Sequence, residues 1–309
     1  MAAYAARRLA HSVLVLWGAL TVIFIAIRVV PGDPALAILG PDASPADLSA
    51  LRARLGLDRP IVIQYLEYLG RTVRLDLGNS IRLEAPVLGV IMERFPLTAL
   101  LAFTAIVLAV GLSFPLGILA ALKRHSVIDS AVSAFSLVGQ SVPSFWLGIV
   151  LILIFARQLR LLPSAGAESW KHLILPSLTL ALIFTGVLTR LVRSGMLEVL
   201  AEDYVRTAHA KGLAPRLVVI RHALPNMLIP VVTVIGLQLG HLLGGAVIIE
   251  TVFGWPGIGR LLVDAIFHRD YPLVQGAVFF ITAGFIIINL MVDLSYGYLD
   301  PRVRLSRND

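Results

Sequence analysis

Six runs of apolar residues, each close to the roughly 20 residues that carry a helix across a bilayer, punctuate the chain: Leu9–Val30, Leu97–Leu122, Ala131–Ala156, Leu173–Leu191, Met227–Ile249 and Gly276–Tyr298. Ionisable residues are scarce in them, and Arg28, Arg190 and Glu250 fall at the predicted ends. Asp293 is the exception. It lies inside the last run near its inner end, where it reads as a helix-packing or interfacial group, with a coupling-ion site as the alternative. Glycine and proline occur within the runs, as in "VPSFWLG" (Val142–Gly148), which helices in lipid tolerate when neighbours re-satisfy the freed backbone groups. The pattern predicts an all-α membrane protein with six transmembrane helices. The first run follows Arg7 and Arg8 in the manner of a signal peptide, but it is long for one and no small-residue cleavage pattern precedes Pro31, so it is read as a retained span.

Two polar stretches interrupt this pattern. Residues 31–96 are too polar for lipid and too long for a turn. In "SPADLSALRARLGL", Ser44 suits an N-cap, Pro45 the first helical position and Asp47 the third, with a stop near Gly56. Together with "PIVIQYLEYLGRTVRL" (Pro60–Leu75), this predicts two short amphipathic helices. They are expected to form a packed cap over the outer mouth, a role compatible with docking of an external partner. The second polar stretch spans residues 193–226. The expected organisation is therefore residues 1–30 for the N-terminus and first span, 31–96 for the outer segment, 97–298 for a core carrying the 193–226 loop, and 299–309 for a tail.

Lys and Arg in the short loops set the expected orientation. With the N-terminus inside, that side holds Arg7, Arg8, Lys123, Arg124, Arg193, Arg206, Lys211, Arg216, Arg221, Arg302, Arg304 and Arg307. The short outer loops hold Arg157, Arg160, Lys171, Arg260 and Arg269. Both termini are thus expected in the cytoplasm.

Composition agrees: 58% of the 309 residues are hydrophobic and 15% charged, with a mean hydropathy of +0.86. The chain has no cysteine, which excludes disulfides, thiolate metal sites and a cysteine nucleophile. The net charge of +7 does not indicate nucleic acid, because the basic residues flank apolar runs rather than form a stripe on a soluble element. No phosphate-cradling G-x-x-x-x-G-K-[ST] occurs, nor H-E-x-x-H or G-x-S-x-G, and His209 and His222 lack a carboxylate at ligand spacing. No catalytic residue, metal site or cofactor site is therefore expected. The chain reads as a path driven by something else.

The stretch "DYVRTAHAKGLAPRLVVIRHALPN" (Asp203–Asn226) suits that reading. An acid-first, Gly-last segment ending at Gly212 predicts a short surface helix, and Pro215 starts a second one with Leu217, Val218 and Ile220 on its apolar side. Such a basic-rimmed helix pair fits a partner's groove, or lies on anionic lipid.

The same stretch resembles the "EAA" loop of bacterial ABC importer permeases. Arg206-Thr207-Ala208 holds the triplet position, Gly212 the glycine and Leu224-Pro225 the closing pair, with Arg206 departing from the usual glutamate. "YVRTAHAKG" is similar to the form used by the dipeptide/oligopeptide/nickel branch. "TVIFIAIRVVPGDPA" (Thr21–Ala35), "LGLDRPIVIQYLEYLG" (Leu55–Gly70), "DLGNSI" (Asp76–Ile81), "QSVPSFWLGIVLILIFA" (Gln140–Ala156), "ETVFGWPGIGRLL" (Glu250–Leu262) and "LDPRVR" (Leu299–Arg304) resemble the first permease subunit of that branch, in the same order, over nearly the whole chain.

The resemblance implies a type I ABC importer permease architecture in the bacterial inner membrane. It implies a homologous second permease, two ABC ATPase subunits that use ATP and Mg, and a periplasmic or lipid-anchored solute-binding protein. In that setting Tyr204 and Val205 are expected to seat the loop in an ATPase groove, Arg206 and Lys211 to orient it, and Gly212 to make the turn. Trp255, Pro256 and Gly257 are expected to form a periplasmic gate or a contact for the binding protein, with an aromatic-belt anchor as the other reading of Trp255. No His, Asp or Glu cluster in the spans points to bare metal, so peptides rank first as cargo. Nickel or another small solute is the alternative, and an ion-coupled secondary transporter a further one.

Overall fold

A computed structural model describes residues 2–29, 36, 39, 40, 43–54 and 56–299. Residues 300–309 of the expected tail and the Asp293 side chain lie outside the described residues. The described residues form helices: α1 (Ala2–Val29), α2 (Pro45–Arg54), α3 (Ile61–Val73), α4 (Val87–Leu122), α5 (Val127–Ser141), α6 (Ser144–Leu151, continued by a π-helical turn Ile152–Gln158), α7 (Lys171–Leu200), α8 (Asp203–Ala210), α9 (Pro215–Val218, continued by a π-helical turn Val219–Ala223), α10 (Leu224–Val252), α11 (Ile258–Phe267) and α12 (Tyr271–Leu299). A single bridge, Asn79 to Pro86, is the only β pairing among them.

Four helices are long and apolar enough to span a bilayer unbroken, and two bent pairs bring the number to six. The third expected span is one of the bent pairs. Instead of running straight through Ala131–Ala156, it breaks into α5 and α6 at an angle of 105°. Pro143 has no N–H to donate and forces Val142 into an extended conformation (φ −83°, ψ 126°), so the helix cannot continue across the pair. The fifth span bends by 51° near Pro230 for a related reason.

Elsewhere the helices outrun the apolar stretches. α4 starts at Val87, ten residues before its apolar run, because Val87 and Ile91 are buried against α11 and α12. α7 continues to Leu200, which places Arg193 on a helix rather than in a loop. Hydropathy marks the length of helix that suits lipid, whereas tertiary contacts decide where the helix ends.

The central core joins α4, α7 and α10, with Leu101, Ala105, Leu180, Leu188, Leu242 and Ile249 fully enclosed. The segment between the first two spans packs onto α1. The Phe24 ring meets Tyr65 edge-on at 5.1 Å and Tyr68 in a stack at 5.6 Å. Arg28 lies over the Phe24 ring and donates to Gln64 Oε1 at 2.8 Å. Ser44 caps α2 as expected, accepting from the Asp47 N–H at 3.1 Å, and Gly56 closes that segment at φ +69°.

Farther along, Asp270 ties the chain before α4 to the start of α12. Its buried carboxylate accepts from the Ser80 hydroxyl at 2.5 Å, the Arg82 N–H at 3.2 Å and the Leu273 N–H at 3.3 Å. Asp270→Ala removes a helix cap and orphans buried donors, at an expected cost of about 1–3 kcal/mol. Its signature is faster proteolysis within residues 76–86 of the purified protein; unchanged proteolysis and melting would contradict this role.

Candidate functional site

The 203–226 segment is a compact helix pair with its own small core. Val205 and Ala208, three residues apart on one face of α8, pack on Val218 of α9 and on Val199, Leu200 and Leu213. Val205 is therefore not available for seating a partner; amphipathic spacing turns it inward. The exposed apolar groups are Tyr204, Leu217 and Ile220. Arg206 and Lys211 are exposed as expected, Arg206 leaning toward Asp203 at 3.3 Å. Thr207 bonds back to the Asp203 carbonyl at 2.9 Å.

Gly212 ends α8 in a left-handed conformation, φ +75°. Its N–H donates to the His209 carbonyl at 2.9 Å, and the Leu213 N–H donates to Ala208 at 3.4 Å. This is the paired bonding of a Schellman cap, with Leu213 supplying the apolar contact beyond the turn. Pro215 begins α9 as the sequence predicts. Leu224 packs beside Ala223 and Met227, and Pro225 stands in the first turn of α10. The sequence gives no hint that Asn226 Nδ2 donates to the Tyr204 hydroxyl at 2.9 Å, a bond between residues 22 positions apart. It joins the first turn of α8 to the first turn of α10.

At the other end of α10, "ETVFGWPGIG" folds into a corner built around Glu250. This side chain, expected at a span end, is fully buried. Its Oε1 accepts from the Thr98 hydroxyl at 2.6 Å and its Oε2 from the Arg260 N–H at 3.0 Å, while Thr98 accepts from the Ile258 N–H at 2.9 Å. The acid thus serves as a side-chain cap for the otherwise unbonded N–H groups at the start of α11. Gly257 is required here, since a Cβ would lie 2.2 Å from Glu250 Oε1. Trp255 is only 3% exposed. Its indole N–H donates to the Leu97 carbonyl at 3.1 Å, which draws the ring into the core and away from an interfacial belt. Of the expected outer trio, Pro256 alone is part-exposed.

A third polar region, between α5, α7 and α10, is an open cleft of about 470 Å³ lined by Ser133, Arg190, Arg193 and Ser194 beside Val187 and Val234. Arg193 grips Asp129 with two hydrogen bonds, Nε to Oδ1 at 2.5 Å and a terminal nitrogen to Oδ2 at 2.8 Å. Arg190 donates to Gln140 Oε1. The partners are 50 and 64 residues apart, so no local pattern could reveal them.

Apolar helices long enough to span a bilayer, with a polar helix pair between two of them, describe a multi-pass membrane protein, and similarity to known proteins gives its class. Residues 113–305 match the binding-protein-dependent transport system inner membrane component, and residues 1–102 match the N-terminal membrane component of the same kind of system. The chain belongs to this family of multi-pass inner-membrane permease subunits. It is 42% identical over 301 residues to the glutathione transport system permease protein GsiC of Escherichia coli K12, and equally to that of Salmonella typhi. Each alignment covers 97% of this chain and 98% of the relative. The fold resembles a chain of an amino acid ABC transporter crystallised with histidines (TM-score 0.50, 16% identity, 68% of this chain and 94% of that chain). It also resembles a chain of the MetNI methionine ABC transporter in an inward facing conformation (TM-score 0.53, 17% identity, 69% and 96%).

Proposed function

We propose that the chain pairs with a homologous second permease to form the path of an ATP-driven importer for peptides, glutathione among them. In this reading a solute-binding protein delivers the cargo, two ABC ATPases that use ATP and Mg bind on the cytoplasmic side, and both termini lie on that side. The observation that carries it is the end-to-end similarity to glutathione permeases in a chain whose polar helix pair is anchored to two membrane helices.

The geometry supports a transmission mechanism. The core of α8 and α9 includes Val199 and Leu200 at the end of α7, and the Asn226–Tyr204 bond fastens it to α10. A push on the exposed Tyr204, Leu217 and Ile220 face therefore moves both spans together. ATP shifts the inward–outward equilibrium by its differential affinity for the two states. Arg206 and Lys211 steer the pair in the ATPase groove. The expected test result is that cells lacking this chain lose ATP-dependent uptake of labelled glutathione or a short peptide and regain it with a plasmid copy. Uptake that persists on a proton gradient with ATP depleted would favour an ion-coupled transporter instead.

A further inference from the structure

The cleft between α5, α7 and α10 contains a positive charge that the fold leaves without a counter-charge. Of its two arginines, Arg193 is neutralised by the bidentate contact with Asp129. Arg190 meets only the neutral amide of Gln140, and no described carboxylate lies within ion-pair distance of it. The Gln140 contact fixes where the guanidinium points without cancelling its charge.

Arg190 stands at the inner end of the apolar run of α7, Leu173–Leu191, with the apolar Val187 and Leu191 beside it in the lining. An ionisable group at the edge of a span is accommodated where it faces water or a charged partner rather than lipid. The open cleft provides such a setting. Its volume of about 470 Å³ falls in the range of small-molecule sites, about 300–1,000 Å³. The hydroxyls of Ser133 and Ser194 share the lining.

Resting on the importer reading above, we propose that this cleft is a binding site on the translocation path for a carboxylate group of the passing peptide, with Arg190 as its reading residue. The planar guanidinium offers two parallel N–H donors that match a carboxylate. Every free peptide carries this group at its C-terminus, so such a contact would admit mixed side chains while rejecting uncharged solutes. Gln140 is the positioning residue. The Asp129–Arg193 pair keeps the neighbouring charge from adding to the attraction, so that cargo is held loosely enough to leave.

The absence of cysteine from the chain makes a clean test available. The complete importer, reconstituted with its partner subunits and binding protein, carries Arg190→Cys and is assayed with S-methylglutathione, which has both carboxylates and no thiol. Wild-type importer treated in parallel controls for labelling of the partners. Expected is a fall in uptake of about tenfold or more, the effect of one charged contact, with basal ATPase activity preserved. Modification by aminoethyl methanethiosulfonate, which restores an ammonium, should recover most of the uptake, and the sulfonatoethyl reagent should not. S-methylglutathione should also slow the labelling. Arg190→Lys, which retains the charge, should keep more uptake than Arg190→Gln. Equal effects of the two reagents, or an introduced thiol that cannot be labelled because lipid or the second permease covers it, would overturn the proposal. Wild-type vesicles without ATP-dependent uptake would instead overturn the cargo reading, and are told apart because the unmodified protein fails.

Discussion

Glu250→Ala is expected to lower the stability of the purified protein by about 3–5 kcal/mol, combining about 1–3 kcal/mol for each buried donor left without an acceptor and a contribution from the cavity. The orphaned groups are the Thr98 hydroxyl and the Arg260 N–H, both of which end on this carboxylate. The loss extends beyond two bonds, because Thr98 in turn holds the Ile258 N–H. Removing the acid releases the start of α11 and with it the corner that seats Trp255. Glu250→Gln keeps one carbonyl acceptor but turns an NH₂ toward a donor, so it should fall between wild type and alanine. Thermal unfolding in detergent, followed by size-exclusion fluorescence, ranks the three. Equal melting temperatures for all three would show that the corner does not depend on its buried acid.

Gly212→Val is expected to leave a folded, membrane-inserted protein that transports at least about tenfold less. At φ +75° nothing lies within 4 Å of where a Cβ would stand, so the substitution creates no clash. Its cost is conformational. A left-handed residue with a side chain costs roughly 1–2 kcal/mol, and a β-branched one is a true outlier there. The turn relaxes by giving up the bonds from Gly212 and Leu213 to the end of α8. Leu213 then leaves the core shared with Val205 and Val218, and the face carrying Tyr204 no longer moves rigidly with α7. Each 1.4 kcal/mol lost in the coupled state is a factor of about ten. Basal ATP hydrolysis by the partner subunits should survive while uptake falls. Wild-type uptake by a well-expressed Gly212→Val protein would remove the turn from the coupling path.

The local features were largely legible in the sequence, because short-range chemistry dictates them. The Ser44 cap, the stop at Gly56, the acid-first helix from Asp203, the Gly212 turn and the Pro215 start all stand in the structure where residue type and spacing put them. The break at Pro143 was visible as a proline in an apolar run, but hydropathy alone reads through it. What the sequence could not show depends on distant partners. Glu250 reads only as an acid at a span end until Thr98, 152 residues away, is seen beneath it. Val205 reads as a docking knob until α9 folds over it, and Trp255 as a gate, docking or belt residue at the outer face until Leu97 supplies an acceptor. The cleft charge at Arg190 emerges only when α5 is bent back beside α7.

The central claim is that this chain works as a permease driven through its α8–α9 pair by separate ATPases. The most direct measurement is affinity purification of the chain from its native membrane in mild detergent, with stoichiometric partners identified by mass spectrometry. The account predicts recovery of a second multi-span permease together with P-loop ATPases, and loss of the ATPases alone when the exposed face of Tyr204, Leu217 and Ile220 is made acidic. Recovery of this chain by itself, in several detergents and after crosslinking, would contradict it.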